Sequence, residues 1–426
     1  MPPIVHHGHM PSTFAWLAVD PEQRRRMMEA VEQFRDETTI DDLGVGGIRD
    51  VFSDELFPGI STIQTRLRYV LFVPWLLQEA ARAESVDAMA WRFHDLERDF
   101  IEALKRGMGE SEQGIIGRRA GRELQRVPSV VYWGALTQWG IVEPGLRARA
   151  YFQRTILLRE QQRTAPHSED GTAGLELTRT GLDPHLPEAP HGLLREATFE
   201  LRSEDVEYLR ESISRSVPRT LLARLVEQRP AGWTTHDSAP AAPWAPEVLA
   251  LLDPELDARL RGIIDLGSRF SLYSQGANLL YNLVLAEATT ADGQRFDDDR
   301  VAHYRDRLRE WAEEVRWVRP LGTDDMTEIA QLMAARNRRF TTKTRSFLSA
   351  WFDAARSPFD CADSAALKDL VRNRERDTKG QRARLRPGNR KALDAWPGET
   401  GTGPMLFRWG NVTRHLQDLY DAAGGA

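Results

Sequence analysis

The feature that most constrains the fold is a repeated spacing of large apolar residues at intervals of three and four. One stripe comprises Met89, Phe93, Leu96, Phe100 and Leu104, and another comprises Tyr304, Leu308, Trp311 and Val315. This period matches the α-helix, in which residues three or four apart share a face. No run of alternating apolar and polar residues indicates a sheet. The sequence therefore predicts a mainly α, multi-helical protein of two or three packed helical domains.

A change of composition suggests where these domains divide. Residues 161–195 are rich in Pro, Gly, Thr, His and Asp, which is typical of a loop or linker. We therefore expect an N-terminal helical domain at 10–160, a linker or loop at 161–195, a central helical domain at 196–320 and a basic C-terminal helical region at 321–426. Residues 1–9 are interpreted as an extension that precedes a more natural start at Met10.

Capping signals predict two further helices. DPEQRRRMMEAVEQFRDE at 20–37 begins with Asp20 as an N-cap and Pro21 at the first helical position. In STIQTRLRYVLFVPWLLQEAARA at 61–83, we expect Ser61 or Thr62 to cap a helix whose second half is buried. Pro74 should either kink this helix or end its first half.

Residues 111–142 have the dimensions of a helix-turn-helix-like element. Two short helical stretches are expected to flank Val127-Pro128-Ser129, with Ser129 as a cap. One interpretation is a DNA-reading element. The other is an ordinary helical pair with Trp133 and Trp139 in the core, a pattern that many helical proteins share.

Composition and motifs exclude several functional classes. A single cysteine, Cys361, cannot form an intramolecular disulfide. The longest apolar run, residues 69–77, is far shorter than the roughly 20 residues that span a membrane, so a cytoplasmic protein with no membrane partner is expected. The patterns GxxxxGK[ST], HExxH and GxSxG are missing, and LGVGGI at 43–48 does not fit GxGxxG. Neither a cofactor nor a metal is expected.

One loose pattern keeps a nuclease hypothesis open. Some helical nucleases use an Arg and a His a few residues apart, and Arg408 with His415 has a similar spacing near a helix. Arg179 with His185 and Arg229 with His236 match as well, both in loops, so chance alone can supply the pattern. No other catalytic residues are predicted.

Charge is distributed unevenly along the chain. Residues 331–392 hold sixteen basic and six acidic residues, a net charge of +10, which leaves −16 for the rest of a chain whose total is −6. Such a segment favours binding of DNA, RNA or another acidic partner. The predicted nucleic-acid-binding residues are Arg372, Arg374, Arg376, Lys379, Arg382, Arg384 and Arg386. The alternative is pairing of these residues with carboxylates inside the fold.

A polar string, STIQTRLRY, opens the apolar helix predicted at 61–83. Its residues Thr62, Gln64, Arg66 and Arg68 form either an anion site or a junction within the core. On a helix the two arginines would point to different faces. The junction hypothesis expects ion pairs with Asp50, Asp54 or Glu55, because buried polar groups need partners.

Several longer segments resemble a known family. LGVGGIRDVFSDELFPGISTIQTRLRYVLFVPWLL at 43–77 is the most specific of them. PSTFAWL, VPSVVYWGALTQWGI, LVRNRERDTKGQRARL and FRWGNVTRHLQDLY extend the similarity from Met10 over nearly the whole chain. The chain resembles bacterial proteins of domain-of-unknown-function family 6361. The family is uncharacterised and supplies no catalytic residues. The resemblance implies gene neighbourhoods with helicases and phospholipase-D-like nucleases, of the kind found in phage defence.

Three functional hypotheses follow. The first is a non-enzymatic accessory subunit of a bacterial defence or DNA-processing system, which binds nucleic acid or a helicase or nuclease partner through residues 331–392. The second is a helical nuclease that uses Arg408 and His415. The third is a structural scaffold in which the basic segment pairs internally with the acidic remainder of the chain.

Overall fold

Helices account for the regular structure throughout the computed structural model, which describes residues 41–109, 112–164, 180–291 and 298–424. The helix expected at 20–37 lies outside these ranges. The helices are α1 (Gly46–Leu56), α2 (Tyr69–Ala80), α3 (Val86–Met108), α4 (Pro128–Gln138), α5 (Ala148–Thr164), α6 (Ser203–Ser216), α7 (Leu221–Glu227), α8 (Pro246–Leu249), α9 (Ala258–Ala291), α10 (Asp298–Val315), α11 (Thr323–Ala335), α12 (Thr342–Ala354), α13 (Ala365–Lys379), α14 (Arg390–Asp394) and α15 (Trp409–Gly424). Within the described ranges the only β pairing is an isolated bridge between Val142 and Leu182. The predicted mainly α, multi-helical fold is confirmed.

The two apolar stripes lie where their spacing predicts. All five residues of the first stripe are buried on α3, and all four of the second are buried on α10. Ser85 caps the N-terminus of helix α3, and its hydroxyl accepts a hydrogen bond from Ala88 N at 3.2 Å. Gly109 caps the C-terminus, with a φ of 85° that suits glycine. Local capping and a buried face therefore define this helix completely.

Helix α9, 34 residues long, forms the centre of the fold and packs against α1, α10 and α13. Gly276 makes the contact with α10 possible, because a Cβ at this position would lie only 2.2 Å from the Trp311 ring. The indole of Trp311 donates to the carbonyl oxygen of Leu272 at 2.9 Å and stacks on Trp351 of α12. Three helices thus meet around one tryptophan pair.

The helix predicted from residue 61 begins eight residues later, at Tyr69. In the intervening stretch the amides of Thr65 and Arg66 donate to the Tyr132 hydroxyl at 2.8 and 3.0 Å. Because these two amides donate to a distant side chain and not to backbone carbonyl oxygens of the preceding turn, the segment is not helical. Helix α2 continues through Pro74 to Ala80, and its second half is buried as expected.

The helix-turn-helix prediction for residues 111–142 is wrong. Between residues 112 and 127 the structure contains turns and one three-residue 3-10 helix, Gly121–Glu123, so α4 has no helical partner immediately before it. Pro128 is the first residue of α4, and Ser129 does not cap it. Trp139 is fully buried, as the core interpretation expects, and its indole donates to the Pro58 carbonyl oxygen.

Ile40–Ala426 forms one compact unit, and its buried apolar residues make one continuous cluster. The proposed division into three helical regions stays a prediction. None of the helices in the described ranges is both long enough and apolar enough to cross a membrane.

Candidate nucleic-acid interface

Three of the seven predicted nucleic-acid-binding residues point into the protein. The clearest case is Arg374, which is only 7 % exposed. Its Nε donates to the Leu43 carbonyl oxygen at 2.7 Å, and its Nη2 donates to the Gly44 carbonyl and the Thr344 hydroxyl, each at 3.0 Å. Arg374 therefore fastens the loop before α1 to α13 and α12.

Lys379 and Arg384 surround a buried carboxylate in the same loop. Asp42 forms ion pairs with Lys379 and with Arg384, the latter at 3.1 Å, and accepts a hydrogen bond from the Thr400 hydroxyl at 2.7 Å. A buried carboxylate is tolerated only when it is paired and hydrogen-bonded. We call Asp42, Lys379, Arg384 and Thr400 the Asp42 clamp, since it joins the start and end of the described chain.

A second carboxylate, Glu375, lies beside the clamp and is completely buried. It accepts hydrogen bonds from the Tyr281 hydroxyl at 2.6 Å and from the amides of Arg384 and Leu385 at 2.8 and 2.9 Å. Burial and the negative charge of Glu375 raise the pKa of Tyr281, which stays neutral and donates. Glu375 thereby fixes the chain that follows α13 and places Arg384 against Asp42.

Helical periodicity in α13 separates the inward from the outward residues. Ser364 caps the helix through Leu367 N at 3.3 Å, and Gly380 ends it with φ 56°. Val371, Arg374 and Glu375 share the buried face. Arg376 lies on the opposite, exposed side. Arg374 and Glu375 lie three and four positions after Val371, a spacing that places residues on one helix face. Had this rule been applied to charged as well as apolar residues, the sequence would have indicated the inward face.

A further inward group ties residues 336–338 and Arg408 to α1. Arg336 Nε lies 2.8 Å from Glu55 Oε1, and Arg408 Nη1 lies 2.7 Å from Asp54 Oδ1. Arg338 is 3.4 Å from both Asp50 and Asp54. The acidic end of α1 is thus neutralised by the basic segment and by the start of α15.

Four basic residues of α12, of α13 and of the turn after it are instead exposed to solvent, and we call them the basic face: Lys343, Arg345, Arg376 and Arg382. Lys343 Nζ lies 2.6 Å from Asp377, and the Arg374–Thr344 bond joins the same two helices, so the first turn of α12 lies beside the last turn of α13. Arg382 lies two residues after Gly380, at which α13 ends. Across the described residues, Asp377 is the only carboxylate that pairs with this face.

The remaining two predicted residues flank the basic face. Arg372 pairs with Asp369 at 2.9 Å one turn earlier on α13. Arg386 is half-buried, and no carboxylate of the described chain lies within ion-pair distance of it. The seven residues predicted as one group therefore divide between the interior, the surface and an intermediate position.

The polar string at 62–68 is a junction between distant segments. Arg66 Nη2 lies 2.9 Å from Asp418 Oδ1, and its Nη1 lies 3.1 Å from Glu112. Arg68 Nη2 lies 3.1 Å from the completely buried Asp205. The prediction that this string pairs with Asp50, Asp54 or Glu55 is wrong. These carboxylates pair with Arg336, Arg338 and Arg408 instead.

Thr62 and Gln64 complete the junction. Gln64 donates to the Gly59 carbonyl oxygen at 2.9 Å and accepts from Ser61 N at 3.2 Å. Asn411 of α15 donates to the Gln64 carbonyl at 2.6 Å and to the Thr62 carbonyl at 3.5 Å. The side chains and carbonyls of this string hold α15 against the first third of the chain, and Arg66 and Arg68 already have carboxylate partners.

Arg408 and His415 do not meet as a catalytic pair. Arg408 bonds to Asp54 and to the Ile60 carbonyl oxygen. His415 is fully buried, stacks on Tyr132 with ring centroids 6.3 Å apart, and neither ring nitrogen has a hydrogen-bond partner. Burial lowers the pKa of His415 to about 3, so the imidazole is neutral at physiological pH. A general base needs access to substrate, which this ring lacks.

No group of three or more His, Cys, Asp or Glu side chains in the described parts of the chain could hold a metal ion. The arrangement is that of a helical protein with buried ion pairs at its centre and a small basic face on its surface. The chain belongs to domain-of-unknown-function family 6361, a family of unknown function whose model matches residues 11–423. No curated protein and no solved structure matches the chain.

Proposed function

We propose that this protein is a non-enzymatic accessory component of a bacterial defence or DNA-processing system that binds DNA or RNA through the basic face. The observation that carries the proposal is the exposure of Lys343, Arg345, Arg376 and Arg382 beside a single paired carboxylate. A helicase or nuclease would supply catalysis on the bound strand.

The chemistry of the basic face suits the sugar–phosphate backbone and not base sequence. Flexible Lys and Arg side chains on an exposed turn contact phosphates without reading base edges. The first turn of α12 also exposes Thr342 and Ser346, whose hydroxyls can donate to phosphate oxygens. Arg374, Lys379 and Arg384 are left out of the proposed interface because they hold the interior together.

The test compares two triple variants of equal charge. In the first, Arg345, Arg376 and Arg382 are replaced by Gln. In the control, the exposed Arg195, Arg219 and Arg259 are replaced by Gln. Binding of labelled single- and double-stranded DNA and RNA is measured over a salt series.

We expect the wild type and the control to bind with the same steep salt dependence. Each lost phosphate contact lowers the slope of log K against log salt by about 0.9 for duplex DNA, so the first variant should lose roughly 2–3 in slope. Equal slopes for both variants, or no binding by the wild type at low salt, would rule the interface out.

The inward arginines favour one alternative, a structural scaffold. The scaffold hypothesis expects the basic segment to pair within the fold. Carboxylates there pair with Arg336, Arg338, Lys379 and Arg384. Arg374 bonds to a backbone carbonyl oxygen. Absence of nucleic-acid binding, together with an unchanged set of co-purifying proteins in the Arg345/Arg376/Arg382 variant, would favour this alternative.

A further inference from the structure

Two arginines in the region of α6 and α7 have buried donors that bond to nothing in the described structure. Arg210 lies on α6, and Arg229 lies just after α7. Arg210 Nε, Arg229 Nε and Arg229 Nη2 are buried without a hydrogen-bond partner, and so is the hydroxyl of Ser214, one turn beyond Arg210. Arg210 and Ser214 are four residues apart, so they share one face of α6.

Helix α15 packs against both α6 and α7, which also pack against each other. Arg210 and Arg229 therefore belong to one three-helix unit, and the Arg229 guanidinium lies over the Tyr420 ring of α15 at 5.1 Å from its centroid. Trp233 packs edge-on against the same ring at 5.2 Å.

Two carboxylates close to these arginines in sequence already have other partners. Glu211 pairs with Arg215, and Glu227 pairs with Arg224. Asp421 accepts a hydrogen bond from Gln417, which is also the acceptor for the Trp233 indole. No ion pair joins any carboxylate of the described chain to Arg210 or Arg229. Guanidinium groups with buried donors and no counter-charge are costly unless an anion neutralises them.

We propose that Arg210, Ser214 and Arg229 form a binding site for a phosphate-type oxyanion. Guanidinium groups donate two parallel hydrogen bonds to such an anion, and a serine hydroxyl adds a third donor direction. Both arginines are only partly buried as residues, so the site opens to solvent on one side. It shares no residue with the basic face, and its test is independent of the proposed function.

Inorganic phosphate is the probe. Thermal unfolding of the full chain is followed in phosphate and in chloride at equal ionic strength and pH, and phosphate binding is measured by calorimetry. The variants are Arg210→Gln, Arg229→Gln and Ser214→Ala, with the exposed Arg219→Gln as the control of equal charge.

We expect phosphate to raise the Tm of the wild type and of Arg219→Gln, and to bind each with the same affinity. Arg210→Gln and Arg229→Gln should lose at least tenfold in affinity, and Ser214→Ala a few fold. In chloride, Arg210→Gln should be at least as stable as the wild type, because it loses an uncompensated charge.

A phosphate-dependent rise that persists in both glutamine variants would overturn the assignment, as would the lack of any such rise in the wild type. If one of these variants unfolds, Ser214→Ala decides: unchanged phosphate affinity in that variant counts against the site.

Discussion

At the scale of single residues, Glu97 shows how burial sets a protonation state. This glutamate of α3 is 2 % exposed and accepts hydrogen bonds from Ser129 N at 2.7 Å and Ser129 Oγ at 3.0 Å. Burial raises its pKa to about 7, against the opposing effect of the two Ser129 bonds. The protonated form is therefore favoured in the folded state.

Glu97→Gln should remove a pH dependence of stability. Because the folded pKa is about 7 and the ordinary value is 4.5, the wild type loses stability as pH rises through this window. Between these pH values the free energy of unfolding of the glutamine variant should rise relative to that of the wild type. Above pH 7 this relative gain should reach about 1–3 kcal/mol. Urea unfolding from pH 4.5 to 8 measures this, with the exposed Glu310→Gln as control. A constant difference between wild type and Glu97→Gln would contradict the assignment.

Sequence reasoning identified polar residues that matter but not their partners. The string at 62–68 stands out in the sequence by its polar residues, yet Arg66 pairs with Asp418, 352 positions away. His415 was considered because of its spacing from Arg408, and burial removes it from any role that needs solvent. A partner distant in sequence leaves no local signal, so no pattern within either segment could have revealed these contacts.

At the scale of elements, α13 separates structural from surface arginines within a single turn. Arg374 bonds to two backbone carbonyls of the loop before α1. Arg376, two residues later, bonds to Asn373 at 3.4 Å and to no other residue in the described ranges. The same residue type in the same helix is therefore expected to differ greatly in its contribution to stability.

Arg374→Ala should destabilise the fold by about 2–4 kcal/mol, because it leaves buried carbonyl groups of Leu43 and Gly44 without donors. Arg376→Ala should change stability by less than about 0.5 kcal/mol, as is usual for exposed positions. Chemical unfolding of both variants gives the comparison directly. Similar losses in the two would show that the inward face has been misassigned.

Helix existence was largely predictable, whereas helix beginnings were not. The stripes of α3 and α10 follow from apolar spacing alone, since each helix buries one face. The start of α2 at Tyr69 and the missing first helix of the predicted helix-turn-helix depend on contacts with distant segments. In the first case the Tyr132 hydroxyl takes the amides that a helix would otherwise have used.

At the scale of the whole molecule, ion pairs join the first and last parts of the described chain. The Asp42 clamp links the loop before α1 to residues after α13, and the Arg66–Asp418 pair links the segment before α2 to α15. The Arg68–Asp205 pair adds a connection to α6. These contacts cross every boundary suggested by composition.

We expect one cooperative thermal transition for the described unit. Asp42→Asn removes the carboxylate partner of Arg384, and Asp205→Asn removes that of Arg68, which is strongly destabilising. Both should lower the same transition by several degrees in differential scanning calorimetry, although they lie in different predicted domains. Two separable transitions, of which each variant shifts only one, would support the division into independent domains instead.

The separation of Arg66 from Asp418 also determines how late in translation their ion pair can form. The two residues are 352 positions apart, which at 5–20 residues per second corresponds to roughly 20–70 s of translation. Throughout that time the newly made first third carries cationic and carboxylate groups whose counterparts do not yet exist. A chain that stops before Asp418 leaves Arg66 without this partner, so we expect α15 to be needed for the stability of the segments made first.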